Sequence, residues 1–173
     1  APQGPKHILF LNPALEGAAR SALLLLQAAL ARNLRTIVYC QSRKMTELIA
    51  MWISQRMANY APYISAYRSG FLPQERREIE AKLSRGDLLA VISTSALELG
   101  IDIGELDLCL LVGYPGSVMA TWQRGGRVGR QQQESAVVLI GHEDSLDQYF
   151  MHHPQEFFRL QPETAVLNPF NPV

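Results

Sequence analysis

The stretch LCLLVGYPGSVMATWQRGGRVGR, residues 108–130, holds a strand–turn–helix unit that ends in a basic, glycine-rich turn. Its apolar run Leu108–Val112 predicts a buried strand, Gly113 opens a turn, and a short helix follows from about Val118. Arg127 and Arg130 then lie three residues apart among glycines. A guanidinium carries a permanent charge on a planar fork that suits phosphate oxygens, and glycine lets a bulky anion approach the backbone. The segment therefore predicts contact with a polyphosphate.

Short apolar runs and helical patterns alternate along the rest of the chain. Most of the runs are continuously apolar, which is typical of strands covered on both faces in a parallel sheet. We predict strands at His7–Leu11, Thr36–Cys40, Tyr63–Tyr67, Leu88–Ser93, Leu108–Val112 and Ala136–Ile140. Helices are predicted at Glu16–Asn33, after a Ser42 cap, at Pro73–Arg85 and at Ser145–His152. Repeated strand–helix units predict an α/β fold: a doubly wound, mostly parallel sheet with helices on both faces.

Composition limits the class of protein. The 173 residues are 47% hydrophobic with no net charge, so any nucleic acid must bind a local patch and not a global positive field. Both cysteines lie in apolar runs, which favours reduced core residues in a cytoplasmic protein. We find no signal peptide, and the longest apolar stretch is too short for a bilayer, so no membrane partner is expected. Residues 1–153 are predicted to form one domain, and residues 154–173 a proline-rich linker or extended docking tail.

Polar residues follow three of the predicted strands. Gln41-Ser42-Arg43 follows the second strand, Arg68-Ser69-Gly70 the third, and Thr94–Asp102 the fourth. In doubly wound sheets, ligands gather beyond the carboxyl ends of the strands. Taken singly, each segment has a structural interpretation, since Ser42 fits a helix cap, Gly100 a helix end and the arginine pair a solvated face. Their occurrence together, in this order and at these strand ends, favours a shared function.

The order of these segments resembles the second RecA-like domain of a superfamily 2 helicase of the DEAD/DEAH type. Gln41–Lys44 resembles the fourth motif of that family, and Tyr67–Gly70 the segment that follows it. Ser93–Asp102 resembles the fifth motif and Gln123–Arg130 the sixth. Gly113–Ser117, with the later Leu146–Phe150, is similar to one subgroup, the DNA-repair helicases related to the bacterial mitomycin-repair helicase and the fungal RecQ-like crosslink-repair helicase.

The resemblance implies half of a motor. In this family ATP lies between two RecA-like domains, and the first domain brings the phosphate-binding loop. This chain has no Gly-x-x-x-x-Gly-Lys-Ser/Thr segment. The implied partner is therefore an N-terminal RecA-like domain of the same parent chain. That domain would hold most of the ATP and Mg²⁺, and no metal ligand is expected here.

The resemblance also implies roles for individual residues. Arg127 and Arg130 would act as arginine fingers on the nucleotide, at the carboxyl-terminal rim of the sheet. The other implied nucleotide contacts are Gly100, Asp102 and Gln123. The implied contacts with a nucleic-acid strand are Ser42, Arg43, Ser69, Gly70 and Thr94.

The function implied is ATP-driven translocation on single-stranded or forked DNA, with 3′-to-5′ movement and no activity of this domain alone. A translocase that remodels duplex without separating it, a non-catalytic nucleic-acid-binding domain and an RNA helicase stay open as alternatives. A dehydrogenase-like enzyme is disfavoured, because no Gly-x-Gly-x-x-Gly follows the first strand.

Three further features leave two interpretations each. Arg124 fits either an interdomain ion pair or a nucleotide contact. Trp122 fits core packing or stacking on a base or a neighbouring domain. The aromatic cluster covers the sheet edge or seats a neighbouring domain, and it comprises Tyr149, Phe150, Phe157 and Phe158.

Overall fold

The computed structural model describes residues 6–13, 17–67, 72–94, 106–126, 128–129 and 134–160. The strands are β1 (Lys6–Leu11), β2 (Thr36–Cys40), β3 (Ile64–Tyr67), β4 (Ala90–Ser93), β5 (Leu108–Val112) and β6 (Ser135–Ile140). The helices are α1 (Ala18–Ala31), α2 (Arg43–Arg56), α3 (Pro73–Arg85), α4 (Val118–Gly125), α5 (Ser145–His152) and α6 (Pro154–Arg159), with a 3-10 turn at Ala61–Tyr63. None of the described helices is long and apolar enough to cross a membrane.

The six strands form one sheet in the order β1-β6-β5-β2-β4-β3, and every pairing is parallel. The predicted parallel α/β sheet is thus confirmed. Two strands begin later than predicted. β3 starts at Ile64 because the chain before it makes a 3-10 turn. β4 starts at Ala90 because the N–H groups of Leu88 and Leu89 bond to Lys82 and Tyr63, outside the ladder.

Helices cover both faces of the sheet, as predicted. α1 and α2 pack on one face, where Val38 and Cys40 of β2 point. α3, α4, α5 and α6 pack on the other face, where Ile37 and Tyr39 of the same strand point. Because successive side chains of a strand point to opposite faces, a continuously apolar run is what two buried faces require.

The two cysteines are free and buried in the sheet. Burial raises the pKa of the Cys40 thiol to about 11 and that of Cys109 to about 12. The thiolate, which is the reactive form, is therefore disfavoured at neutral pH. Their interpretation as core residues is confirmed.

The start of the predicted tail is a helix and not an extended arm. In α6, Phe157 is 1% exposed and packs against the rings of Phe10, Phe150 and Trp122 at centroid distances of 5.6, 5.7 and 5.7 Å. Pro154 stands in the first turn, where its missing N–H costs no hydrogen bond. Burial of the Phe157 ring therefore stabilises a helix in a segment whose proline content predicts a linker. The boundary between the domain and the tail stays a prediction.

Candidate functional site

The carboxyl edge of the sheet brings three of the predicted strand contacts together. β2 and β4 are paired neighbours, with Tyr39 opposite Ser93, so the residues that follow each strand come out side by side. Ser42 is exposed and caps α2, since its Oγ accepts a hydrogen bond from the Met45 N–H at 3.1 Å. Arg43 is exposed in the first turn of α2, and Thr94 directly follows β4, so both reach this edge.

A helix start and an exposed guanidinium make this edge suited to phosphate. The first N–H groups of a helix lack partners within it, and they point toward any anion placed at its start. Arg43 adds a permanent positive charge at that point. The cap by Ser42 is therefore compatible with a strand contact, because a hydroxyl can accept one bond and donate another.

Six predicted site residues lie outside the described residues, so their roles stay predictions. They are Ser69, Gly70, Gly100, Asp102, Arg127 and Arg130. The end of β3 pairs with the end of β4, with Tyr67 opposite Ser93. The chain thus enters the segment that contains Ser69 from the same carboxyl edge.

The loops at this edge are tied together by Asp147, which is 3% exposed. Its Oδ2 accepts hydrogen bonds from the Tyr114 N–H at 3.1 Å and from the His142 N–H at 2.8 Å. Gln41 donates from Nε2 to the Tyr114 carbonyl. The Asp147 carboxylate, in the first turn of α5, therefore fixes the loops after β5 and β6 to each other, and Gln41 ties the loop after β2 to them.

Gly113 shows how closely these loops approach. Its φ is +94°, and a Cβ there would lie 2.3 Å from the His142 ring. Only glycine fits this position. The sequence does not predict this network, although its local part is a helix cap: Asp144 Oδ1 accepts from the Asp147 N–H at 3.0 Å at the start of α5. An acidic residue three positions after a helix N-cap is the sequence signal by which Asp147 could have been identified.

The pKa of Asp147 lies above its ordinary value. Removal from water is the largest cause, the two backbone N–H bonds oppose it, and the nearby Asp144 adds to it. A carboxyl with a raised folded-state pKa holds its proton more tightly in the folded than in the unfolded protein. Its contribution to stability is therefore greatest below the ordinary pKa and falls as the pH rises through the raised one.

Asp147→Ala is expected to lower the free energy of unfolding by about 2 kcal/mol, because it leaves the N–H groups of Tyr114 and His142 without an acceptor. Asp147→Asn is the matched control, since its amide oxygen still accepts both bonds and no buried charge remains. Urea unfolding at neutral pH measures both variants. Equal losses in the two would show that the hydrogen bonds do not carry the effect.

α4 leads from this edge back across the sheet. Ser117 caps it by accepting from the Ala120 N–H at 3.0 Å. At its other end the Gly125 carbonyl accepts from Lys6 Nζ at 3.1 Å, and Gly129 N–H donates to the Leu106 carbonyl at 3.1 Å. Lys6 begins β1 and Leu106 precedes β5. The end of α4 therefore lies over the amino-terminal half of the strands.

This path corrects one expectation. The motor interpretation placed Arg127 and Arg130 at the carboxyl-terminal rim, whereas the described residues on either side of Arg127, Gly125 and Gly129, lie toward the amino-terminal half of the strands. The two arginines lie outside the described residues, so their own placement stays a prediction. An eight-residue helix rises about 12 Å, which returns the chain across most of a five-residue strand of about 16 Å. Gln123 is exposed near the end of α4, toward the amino-terminal half of the strands, whereas Ser42 and Thr94 lie at the carboxyl edge.

Two neighbours of Gln123 are also placed. Arg124 is 7% exposed and its guanidinium lies 5.3 Å from the centre of the Tyr39 ring, inside the domain. Trp122 is 37% exposed and packs on Phe157, so it is half core and half surface. Arg124 therefore belongs to the packing under α4, which neither interpretation of the sequence foresaw.

The family profile for the helicase conserved C-terminal domain matches residues 20–132. The chain belongs to this family. The match includes the fourth, fifth and sixth motif segments, so the resemblance given by those motifs is confirmed. The six parallel strands with helices on both faces are the RecA-like architecture that the resemblance implies.

Two relatives are similar over nearly all of this helicase domain. The ATP-dependent helicase YprA of Bacillus subtilis (strain 168) is 41% identical over 99% of the chain. The ATP-dependent helicase HRQ1 of Saccharomyces cerevisiae (strain ATCC 204508 / S288c) is 33% identical over 92% of it. The domain spans only 24% of the length of YprA and 16% of that of HRQ1.

A solved structure is also similar. The DUF1998 helicase MrfA bound to DNA and AMPPNP is 40% identical, with a TM-score of 0.86 over 94% of this domain and 24% of the MrfA chain. These matches agree with the predicted subgroup, which was defined by bacterial and fungal helicases.

The described residues do not offer a metal site. No group of three or more histidine, cysteine, aspartate or glutamate side chains among them could hold an ion.

Proposed function

We propose that this domain is the second motor domain of an ATP-dependent DNA helicase, and that it supplies arginine fingers and strand contacts to a longer chain. The observation that carries the proposal is the family match across the arginine segment, which contains Gln123, Arg127 and Arg130. It is supported by the similarity to MrfA, a helicase bound to DNA and AMPPNP in its structure. The activity belongs to a longer chain, since this domain spans only 24% of the length of YprA.

The proposed nucleotide contacts come from two segments. Arg127 and Arg130 would stabilise the negative charge that develops during phosphoryl transfer from ATP to water. Gln123 would contact the nucleotide from the exposed side of α4, and Asp102, with Gly100, would accept a hydrogen bond from a ribose hydroxyl. The N-terminal RecA-like domain of the parent chain would hold the triphosphate and Mg²⁺, which is consistent with the lack of a Gly-x-x-x-x-Gly-Lys-Ser/Thr segment in this sequence.

The proposed strand contacts lie at the carboxyl edge. Ser42, Arg43 and Thr94, together with Ser69 and Gly70, would bind the sugar-phosphate backbone through hydroxyls, a guanidinium and N–H groups. Contacts of this kind position a strand without reading its sequence. The strand would then meet one edge of the sheet while the nucleotide meets the end of α4 on another side.

This separation supports coupling between the two ligands. Closing of the interdomain cleft on ATP would move α4, and α4 starts from the Tyr114 loop that Gln41 and Asp147 tie to the strand edge. Packed elements transmit such a shift because they deform little. Repeated closing and opening would move the parent helicase along the strand, in the 3′-to-5′ direction that the subgroup implies.

A role in DNA repair and a cytoplasmic location are part of the proposal. The first is supported by the similarity to the predicted subgroup. The second is supported by two buried, free cysteines, which are typical of a reducing compartment.

Strand displacement tests the function of the full-length helicase. We expect it to unwind a forked DNA duplex with a 3′ single-stranded tail when ATP and Mg²⁺ are present, and to leave a blunt duplex intact. A forked duplex with RNA strands serves as the control for substrate class. Translocation on blunt duplex without separation would favour a remodeller, and strand binding without turnover would favour a non-catalytic domain.

A further inference from the structure

We infer that Lys6 is a positioning residue for the arginine segment, because its ammonium caps the end of α4 and fixes where the chain turns toward Arg127. This inference rests on the proposed function of that segment. It assigns a role in ATP turnover to a residue at the opposite end of the chain, outside every helicase motif that the sequence shows.

The first support is the contact itself. Lys6 opens β1, and its Nζ lies 3.1 Å from the carbonyl oxygen of Gly125, the last residue of α4. The last carbonyls of a helix have no partner within it, and a cation near them is favoured by the helix dipole. Among the residues that the structure describes, this is the hydrogen bond that the Lys6 ammonium makes.

The second support is the packing on the far side of Arg127. Gly129 has a φ of +84°, and a Cβ there would lie 2.4 Å from Ser135 Oγ and 3.5 Å from Lys6 Cε. The methylene stem of Lys6 therefore lies close to Gly129 while its ammonium donates to the Gly125 carbonyl. The same side chain lies near the described residues on both sides of Arg127.

Other contacts fix the same two points. Val128 is fully buried and its N–H donates to the Gly125 carbonyl at 3.4 Å, beside the Lys6 bond. A Cβ on Gly125 would lie 3.3 Å from Val137 of β6. The chain therefore leaves α4 along a path set by β1, β6 and the turn itself, with little room to shift.

Burial makes the contact costly to lose. The Lys6 ammonium is half-buried, and removal from water lowers its pKa from the ordinary value. A hydrogen-bond acceptor is therefore needed to stabilise its charged form. Neighbouring Cys109 does not compete for it as an anion, because its own pKa is about 12. Among the described residues, the Gly125 carbonyl is the acceptor to which the ammonium donates.

The inference predicts a specific kinetic change in the full-length helicase. Lys6→Met is expected to lower kcat for DNA-stimulated ATP hydrolysis roughly tenfold, because a small displacement of a reacting group costs up to about a hundredfold. KM for ATP and the affinity for single-stranded DNA should stay within about twofold, since neither the triphosphate site nor the carboxyl edge is touched. Lys6→Arg should restore at least half of kcat, because a guanidinium can donate to the same carbonyl.

Two further variants separate the possible outcomes. Lys82→Met, at an exposed lysine in the last turn of α3, is the matched control and should leave kcat unchanged. Normal kcat in Lys6→Met, with strong loss in Arg127→Ala, overturns the positioning role alone. Normal kcat in Arg127→Ala overturns the proposed function as well. Loss of kcat and strand affinity to the same degree in Lys6→Met means a general loss of folding and also overturns the inference.

Discussion

Arg127→Ala or Arg130→Ala in the full-length helicase is expected to reduce ATP turnover roughly a thousandfold while leaving strand binding within about twofold. In related nucleotide hydrolases an arginine finger contributes about a thousandfold or more to the rate. The loss appears in kcat, because the guanidinium stabilises charge that develops only in the transition state. Steady-state ATP hydrolysis with saturating single-stranded DNA measures it.

Strand binding is expected to be spared because the proposed contacts with the strand and with the nucleotide lie at different places on the domain. Ser42 and Thr94 lie at the carboxyl edge, whereas Gly125 and Gly129, which flank Arg127, lie toward the amino-terminal ends of the strands. Fluorescence anisotropy of a labelled single strand checks this directly.

Matched variants sharpen the assignment. Arg77→Ala, at an exposed position of α3, removes the same charge elsewhere and should leave turnover unchanged. Arg127→Lys keeps the charge but loses the planar fork, so an intermediate rate is expected. Normal turnover in both alanine variants would remove Arg127 and Arg130 from the catalytic account.

The sequence predicts the sheet well for a physical reason. Continuous apolar runs such as Thr36–Cys40 are required when helices cover both faces, and few other structures use them. α3 was predicted with both ends correct, since Pro73 fits a first turn and Gly86 takes the left-handed conformation with φ +84°.

Features that depend on packing between distant residues were missed. The helix α6 forms because Phe157 is buried among rings from β1, α4 and α5, and proline content alone cannot show that. The Asp147 carboxylate bonds to an N–H group 33 residues away, at Tyr114. Periodicity carries no information on such pairs, so only the local cap at Asp144 could be predicted.

The family was predicted from the sequence, whereas the position of the arginine segment on the sheet was not. The sixth motif pointed to the right family, which the profile match confirms. The described residues of this motif lie at the end of a helix that starts from the carboxyl rim, so the rule that ligands follow strand ends does not give their position. Because α4 is eight residues long, it carries the chain back across the sheet before the arginine segment begins.

The separated domain offers the most direct test of the central claim that catalysis needs a partner across a cleft. The chain has no phosphate-binding loop in its sequence, and its described residues offer no metal cluster. Its own arginines would act only on a nucleotide that another domain holds.

The measurement is ATP hydrolysis by the isolated 173-residue chain, with Mg²⁺ and single-stranded DNA, beside the full-length helicase at equal concentration. We predict rapid turnover by the full-length protein, and from the isolated chain neither turnover above the buffer rate nor tight ATP binding by calorimetry. Appreciable ATP turnover by the isolated chain would contradict the claim.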